Sequence, residues 1–246
     1  MTITSTLNSG GSGGSGNVTY TSAFASPPAS PASGDLWLPT DSFYIFRYSG
    51  SAWIPWGPVY SFTDPTVSGP TTWVNQGSAT VSTANGAIVL TMPAGNAAFD
   101  YHIRVKTAPA TPYVITAAIL PGLWNNASFR SGLLFRESGS GKFSSFEFAT
   151  SGAKNVEVNE FASPTSYSST PFSGLPWAAN GTVIWMRIAD DGTNRKYSLS
   201  SNGQTWMQLY SETRTTYITA DQVGFWGEAE SVTFGAQTTL LSWKET

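Results

Sequence analysis

The chain of 246 residues has no cysteine and a single histidine, His102. Disulfide frameworks, cysteine nucleophiles, zinc fingers and multi-histidine metal sites are thereby excluded. Charge is scarce as well: Asp, Glu, Lys and Arg make up 11% of the residues, and the formal net charge is −3. So cation-poor a chain has no surface for a phosphate backbone, and nucleic acid is not an expected partner. No run approaches the ~20 apolar residues of a membrane-spanning helix, so membrane insertion is not expected. The opening MTITSTLNSGG has neither the basic stretch nor the apolar core of a secretory leader, and no signal peptide is expected. A Ser-His-Asp triad would have to recruit His102, yet no Gly-x-Ser-x-Gly elbow is present. Its alternation with apolar neighbours reads as a strand residue making a local hydrogen bond.

What the chain does have is aromatic rings, glycine and turn residues, unevenly distributed. Residues 1–34 carry no charged side chain and are rich in Ser, Gly, Thr, Ala and Pro, including GGSGGSG at 10–16 and SPPASPASG at 26–34. Such a segment has nothing with which to form a core and reads as an extended arm or linker; an engineered linker is the alternative reading of the Gly/Ser tract. Residues 35–65 form a small aromatic β-module. Phe43, Ile45 and Arg47 alternate with Tyr44, Phe46 and Tyr48, and residues 48–51 supply a turn before Trp53 resumes the pattern. A hairpin of that size is marginal alone and needs a partner surface for its rings.

Residues 66–246 read as one all-β domain. Strands are expected at 79–82, 87–92, 98–106, 113–120, 131–137, 143–149, 155–161, 182–189, 196–200, 205–210, 222–227 and 234–244, with Asn85-Gly86 and residues 138–141 as turns. Helix has little support, since no window sustains the helical period of about 3.6 residues and β-branched and aromatic residues abound.

Two resemblances attach to these segments. The stretch GDLWLPTDSFYIFRYSGSAWIPWGP at 34–58 resembles a module of phage tail, tail-fibre and other virion proteins, in which a short β-element joins an attachment arm to a distal domain. The run TVIWMRIADDG at 182–192, then KYSLSSNGQTW at 196–206, then QVGFW at 222–226, with SGLLFR at 131–136, is similar to strands of concanavalin A-like lectin/glucanase sandwiches. The fold class expected is therefore an all-β jelly-roll sandwich, preceded by the aromatic module and the arm.

Glucanases of that fold hydrolyse glycosidic bonds with paired carboxylates spaced to project from one face. The family's Glu-x-Asp-x-Glu signature is absent. Glu157 and Glu160 are three apart, so a regular strand sends them to opposite faces; Glu228 and Glu230 have the right parity but follow Gly227 and read as loop residues. No catalytic residue is assigned, and the protein is expected not to be an enzyme. Asp190 and Asp191 offer oxygens for a Ca²⁺ ion, yet they read more simply as a hairpin loop, and no cofactor is expected. Asp191-Gly192 and Asn202-Gly203 serve turns, while Trp185 and Trp206 fit the core as well as a ligand platform. Sugar binding suits the composition better, because sugars stack apolar faces on aromatic rings while amides and hydroxyls fix their hydroxyl groups. The candidates are Trp124, Asn125, Asn126 and Trp177 in loop-like segments, Trp226, and the polar side of strand 155–161 with Glu157 and Asn159.

The reading that joins these threads is a non-enzymatic virion protein. Residues 1–65 hold it to other virion proteins, a homo-oligomer is expected, and the sandwich is displayed for attachment to host-surface glycan. A capsid decoration or head-fibre protein without a ligand is the first alternative, a glycan depolymerase the second.

Overall fold

The computed structural model describes residues 27, 29–37, 44–58, 62–83, 86–94, 98–121, 128–149, 155–176, 183–230 and 235–246. The chain divides into two compact units, residues 1–61 and 62–246.

In the first unit, β1 (Leu36–Trp37), β2 (Tyr44–Tyr48) and β3 (Trp53–Pro58) form a three-stranded antiparallel sheet in that order. The turn between β2 and β3 uses Gly50 at φ +99, and Ser49 Oγ accepts from the Ala52 N–H at 3.1 Å. The rings meet one another: Trp37 lies 5.5 Å from Phe46 and 5.8 Å from Trp53, and Tyr48 lies 5.3 Å from Trp53.

The second unit opens with a single helical turn, α1 (Pro65–Ser68), where the Asp64 carboxylate accepts from the Thr66 N–H and Pro occupies the first position. Two seven-stranded antiparallel sheets follow. One contains β4 (Thr72–Val74), β7 (His102–Thr107), β16 (Gln222–Glu230), β9 (Ser128–Arg136), β10 (Phe143–Ala149), β11 (Asn155–Ser163) and β12 (Ser166–Pro176), ordered β12-β11-β10-β9-β16-β7-β4. The other contains β5 (Thr80–Ser82), β6 (Ile88–Met92), β8 (Tyr113–Pro121), β13 (Ile184–Asp190), β14 (Asn194–Ser200), β15 (Met207–Thr213) and β17 (Ala236–Glu245), ordered β15-β14-β13-β8-β17-β6-β5. This is the expected jelly-roll sandwich. Its main core lies between the sheets and includes Phe135, Phe146, Tyr197, Phe225, Leu240 and Trp243. At about 25 cal/mol per Å² of apolar surface removed from water, this interior supplies most of the drive to fold.

The sheet that contains β10 is buried on both faces, so its strands lack a hydrophobic-in, polar-out alternation. All seven residues of β10 are buried. Phe146 and Phe148 join the main core, whereas Phe143, of opposite parity, belongs to a second cluster with Tyr101, Ile103, Val105, Leu134, Phe161 and Trp226 on the outer face. Residues 98–101 and the β11–β12 turn cover that cluster: the Tyr101 ring sits 4.2 Å from Trp226 and 4.5 Å from Phe161, and the Tyr101 N–H donates to Pro164 O at 3.1 Å.

Four expectations change. Residues 98–101 form this cover instead of the start of a strand, β7 beginning only at His102. Glu228 and Glu230 lie on β16 instead of in a loop. Strand β12 was not foreseen, because its run SYSSTPFSGLP is rich in Ser and contains Pro; it survives as an edge strand with register shifts along its pairing with β11, where Pro is tolerated. Strand β4 and helix α1 also went unforeseen, both being too short to show a period. His102 is a buried strand residue, but its hydrogen bond is not local as expected: Nδ1 is 3.2 Å from the O of Asn75, 27 residues earlier. Of the Asn85-Gly86 turn, Asn85 lies outside the described residues, while Gly86 takes φ +68.

Candidate ligand-binding face

Strand register brings five polar side chains together on the outer face of the β12-to-β4 sheet. Glu147 on β10 stands opposite Gly132 on β9 and Glu157 on β11, while Arg130 on β9 stands opposite Glu228 on β16. Asn159 follows Glu157 on the same side. Gly132 is required where it sits, since a Cβ there would lie 1.9 Å from Phe146 O.

Arg130 is the hub. Its Nη1 is 3.4 Å from Glu147 Oε1 and donates to the Tyr101 hydroxyl at 3.4 Å, and its Nε is 3.8 Å from Glu228 Oε2. Glu147 also accepts from Ser145 Oγ at 2.6 Å and from Asn159 Nδ2 at 2.8 Å. Glu228 accepts from the Phe99 N–H at 3.2 Å. Asn159 Nδ2 reaches Glu157 at 3.1 Å while its Oδ1 accepts from Thr170, and Ser173 donates to Glu157 at 3.1 Å. The result is a ladder of neutral hydrogen-bonding groups, Ser145, Asn159, Thr170 and Ser173, tied together through Glu147 and Glu157.

Glu147 and Glu228 are both 0% exposed, and one guanidinium serves the two carboxyls. Burial disfavours the ionised form and outweighs the attraction of Arg130, pushing Glu147 up to about 7 and Glu228 up to about 8. Burial raises the Tyr101 hydroxyl as well. The cluster therefore holds protons near neutral pH. Both carboxyls are closed off from solvent, whereas a general acid must come within about 3 Å of the atom it protonates.

The sequence-derived candidates divide three ways. Glu157 and Asn159 belong to this ladder, Glu157 half-buried and Asn159 buried. Trp226 is corrected: at 0% exposure it is core, with Nε1 donating to Leu133 O at 3.3 Å. Trp124, Asn125, Asn126 and Trp177 lie outside the described residues. The Ca²⁺ candidates are engaged otherwise. Asp190 is buried, receives the Arg214 guanidinium at 3.1 Å and accepts from the Gly192 N–H, while Asp191 accepts from the Thr193 and Asn194 N–H groups and pairs with Lys196 at 2.7 Å. No cluster of three or more metal-ligating side chains occurs among the described residues. Glu157 and Glu160 do not form a pair: Glu160 accepts from Ser169. Trp185 stacks on Phe62 at 5.6 Å, and Trp206 lies under Arg187 at 3.8 Å.

Arg130, Ser145, Glu147 and Thr170 were not singled out from sequence. A signal existed for Glu147: a lone carboxylate inside FSSFEFA, on the same parity as Phe143, has to be paired if the strand is buried on both faces.

No protein-family model matches the sequence, and no curated protein is similar to it in sequence. Solved structures do resemble it. A protein of unknown function from Saccharomyces cerevisiae matches over 71% of this chain and 95% of its own, with a TM-score of 0.53 at 15% identity. A point mutant of the GH43 protein BlXynB from Bacillus licheniformis matches over 68% of this chain, with a TM-score of 0.50 at 11% identity. The likeness is one of fold. The match spans only 34% of the Bacillus licheniformis chain. The carbohydrate binding module CBM66 from Bacillus subtilis gives a TM-score of 0.49 at 10% identity, over 72% of this chain and 96% of its own.

Proposed function

We propose that residues 62–246 form a non-enzymatic glycan-binding sandwich, displayed on a virion for attachment to the host surface and held to other virion proteins by residues 1–65. The observation that carries the binding part is the pair of exposed hydroxyls Thr170 and Ser173 on β12, held in place by Asn159 and Glu157 beneath them. Hydroxyls already oriented in this way suit the hydroxyl groups of a sugar and reduce the ordering cost of binding. Binding is favoured over hydrolysis because the two carboxyls able to move a proton near neutral pH are sealed from solvent. The virion part is supported by the uncharged arm and by the likeness of residues 34–58 to virion joint modules.

The test is a host-surface polysaccharide array probed with the full chain, paired with a reducing-sugar assay. Retention without release of reducing ends is expected. Release that disappears in Glu147→Gln would replace this reading with a glycan depolymerase. For the virion part, deletion of residues 1–34 is expected to abolish incorporation into particles, and a truncated protein that assembles normally refutes it.

A further inference from the structure

One exposed ring on this face is held in place by other rings. Tyr167, on β12, is 44% exposed. It stacks on Phe99 at 5.5 Å and 18°, meets Phe161 edge-on at 5.7 Å, and shares a hydrogen bond with Thr170 Oγ1 at 2.9 Å through its hydroxyl. Phe99 is itself locked. It sits at φ +56, a left-handed conformation that bulky residues rarely adopt, with its N–H on Glu228 and the Arg130 guanidinium 5.3 Å over its ring. The Tyr167 ring is therefore immobilised before anything binds, with part of its surface in water.

The surroundings define the ligand. Thr165, Ser166, Ser168 and Thr170 are exposed hydroxyl residues, and residues 162–176 contain no charged side chain. An anionic ligand would find no cation on this hairpin, whose carboxylates, Glu157 and Glu160, are already hydrogen-bonded by Ser173 and Ser169. A purely apolar one would leave the hydroxyls unused. We propose that Tyr167 is a stacking platform for a pyranose ring of a neutral glycan. The apolar face of the sugar lies on the tyrosine, and Thr170 with the neighbouring hydroxyls meets the sugar's rim. This rests on the glycan-binding reading above and assigns it a place.

The experiment is calorimetric titration of the full chain with cellohexaose, chitohexaose and laminarihexaose. Wild type is expected to bind at least one. Tyr167→Ala is expected to raise that Kd by about tenfold or more, as the loss of a preordered aromatic anchor does. Tyr167→Phe is expected to stay within about threefold, because it keeps the ring and loses one solvent-exposed hydrogen bond. Independently of any variant's folding, sugar protons should show NOEs to the Tyr167 ring in wild-type protein. Binding unchanged in Tyr167→Ala, or a bound sugar without those NOEs, overturns the platform while leaving glycan binding intact. No binding of any of the three oligosaccharides by wild type overturns the platform and counts against the reading on which it rests.

Discussion

The two buried glutamates predict an unusual pH dependence of stability. In an unfolded chain each would titrate at the ordinary glutamate value of 4.5; folded, Glu147 is pushed up to about 7 and Glu228 up to about 8, burial being the main cause. The folded state thus binds more protons than the unfolded state between these values. For groups raised in this way the stability contribution is complete below pH 4.5 and is lost as pH climbs through 7 and 8. Each group contributes a slope of about −1.4 kcal/mol per pH unit within its own window. The protein is therefore expected to lose stability from pH 5 to pH 8, by several kcal/mol if both groups act and by about 3 if coupling through Arg130 leaves one. Raising the pH should destabilise where most proteins are on a plateau. Below pH 4 the sign reverses, because Asp191, Glu137 and Asp221, all lowered by hydrogen bonds, become protonated. Urea titrations at unit steps from pH 4 to pH 9 read this directly. Glu228→Gln, which keeps the shape and stays neutral, should flatten the upper part of the decline, and Glu147→Gln with Glu228→Gln should abolish it. A free energy of unfolding that is flat or rising from pH 5 to pH 8 refutes the account.

Three further outcomes are expected. Gly203→Ala places a Cβ 2.8 Å from the Trp185 ring at a residue with φ +75, and should cost about 3 kcal/mol in urea unfolding. Arg195 is 0% exposed and pairs with Glu212 at 3.0 Å, while Tyr197 donates to Glu212 at 2.7 Å; Glu212→Ala, which strands a buried cation, should cost about 3–5 kcal/mol, and Arg195→Met with Glu212→Leu should recover most of it. The fragment 62–246, which has its own core, should fold alone and melt within a few degrees of the full chain by circular dichroism.

The fold was legible because most strands carry turn residues at their ends and branched or aromatic residues between them. Ile184–Asp190 and Asn194–Ser200 flank Gly192 at φ +90, which the Asp-Gly pair announced. The site was less legible. Strand parity placed Glu157 and Asn159 on one face, but whether that face is open depends on residues 98–101, whose Phe and Tyr look like any alternating strand. Only the Tyr101 contacts to Phe161 and Trp226 reveal that they fold over the sheet. Trp226 was misjudged for the same reason. On a sheet with one solvated face it would be a platform; beneath Tyr101 it is core. The Glu147–Arg130–Glu228 cluster needs three strands, β10, β9 and β16, in adjacent register, and β16 is far from the other two in sequence.

That same cover decides what the raised acidities mean. Carboxyls that titrate near neutral pH inside a β-sandwich invite a catalytic reading, because general acids are tuned in this way. Here the agent of tuning is also the obstacle to use. Glu228 and Glu147 are fully buried beside the Phe99 N–H and the Tyr101 hydroxyl, and the burial that raises them also keeps other molecules away. Opening the cluster would remove the perturbation, since water at the carboxyls removes its cause. The acidity is thus a consequence of filling the outer face with a second core, and the ionic hub under Phe99 fixes the ring on which Tyr167 rests. Buried acid, left-handed phenylalanine and exposed tyrosine form one continuous support, with Tyr167 at its solvent-facing end.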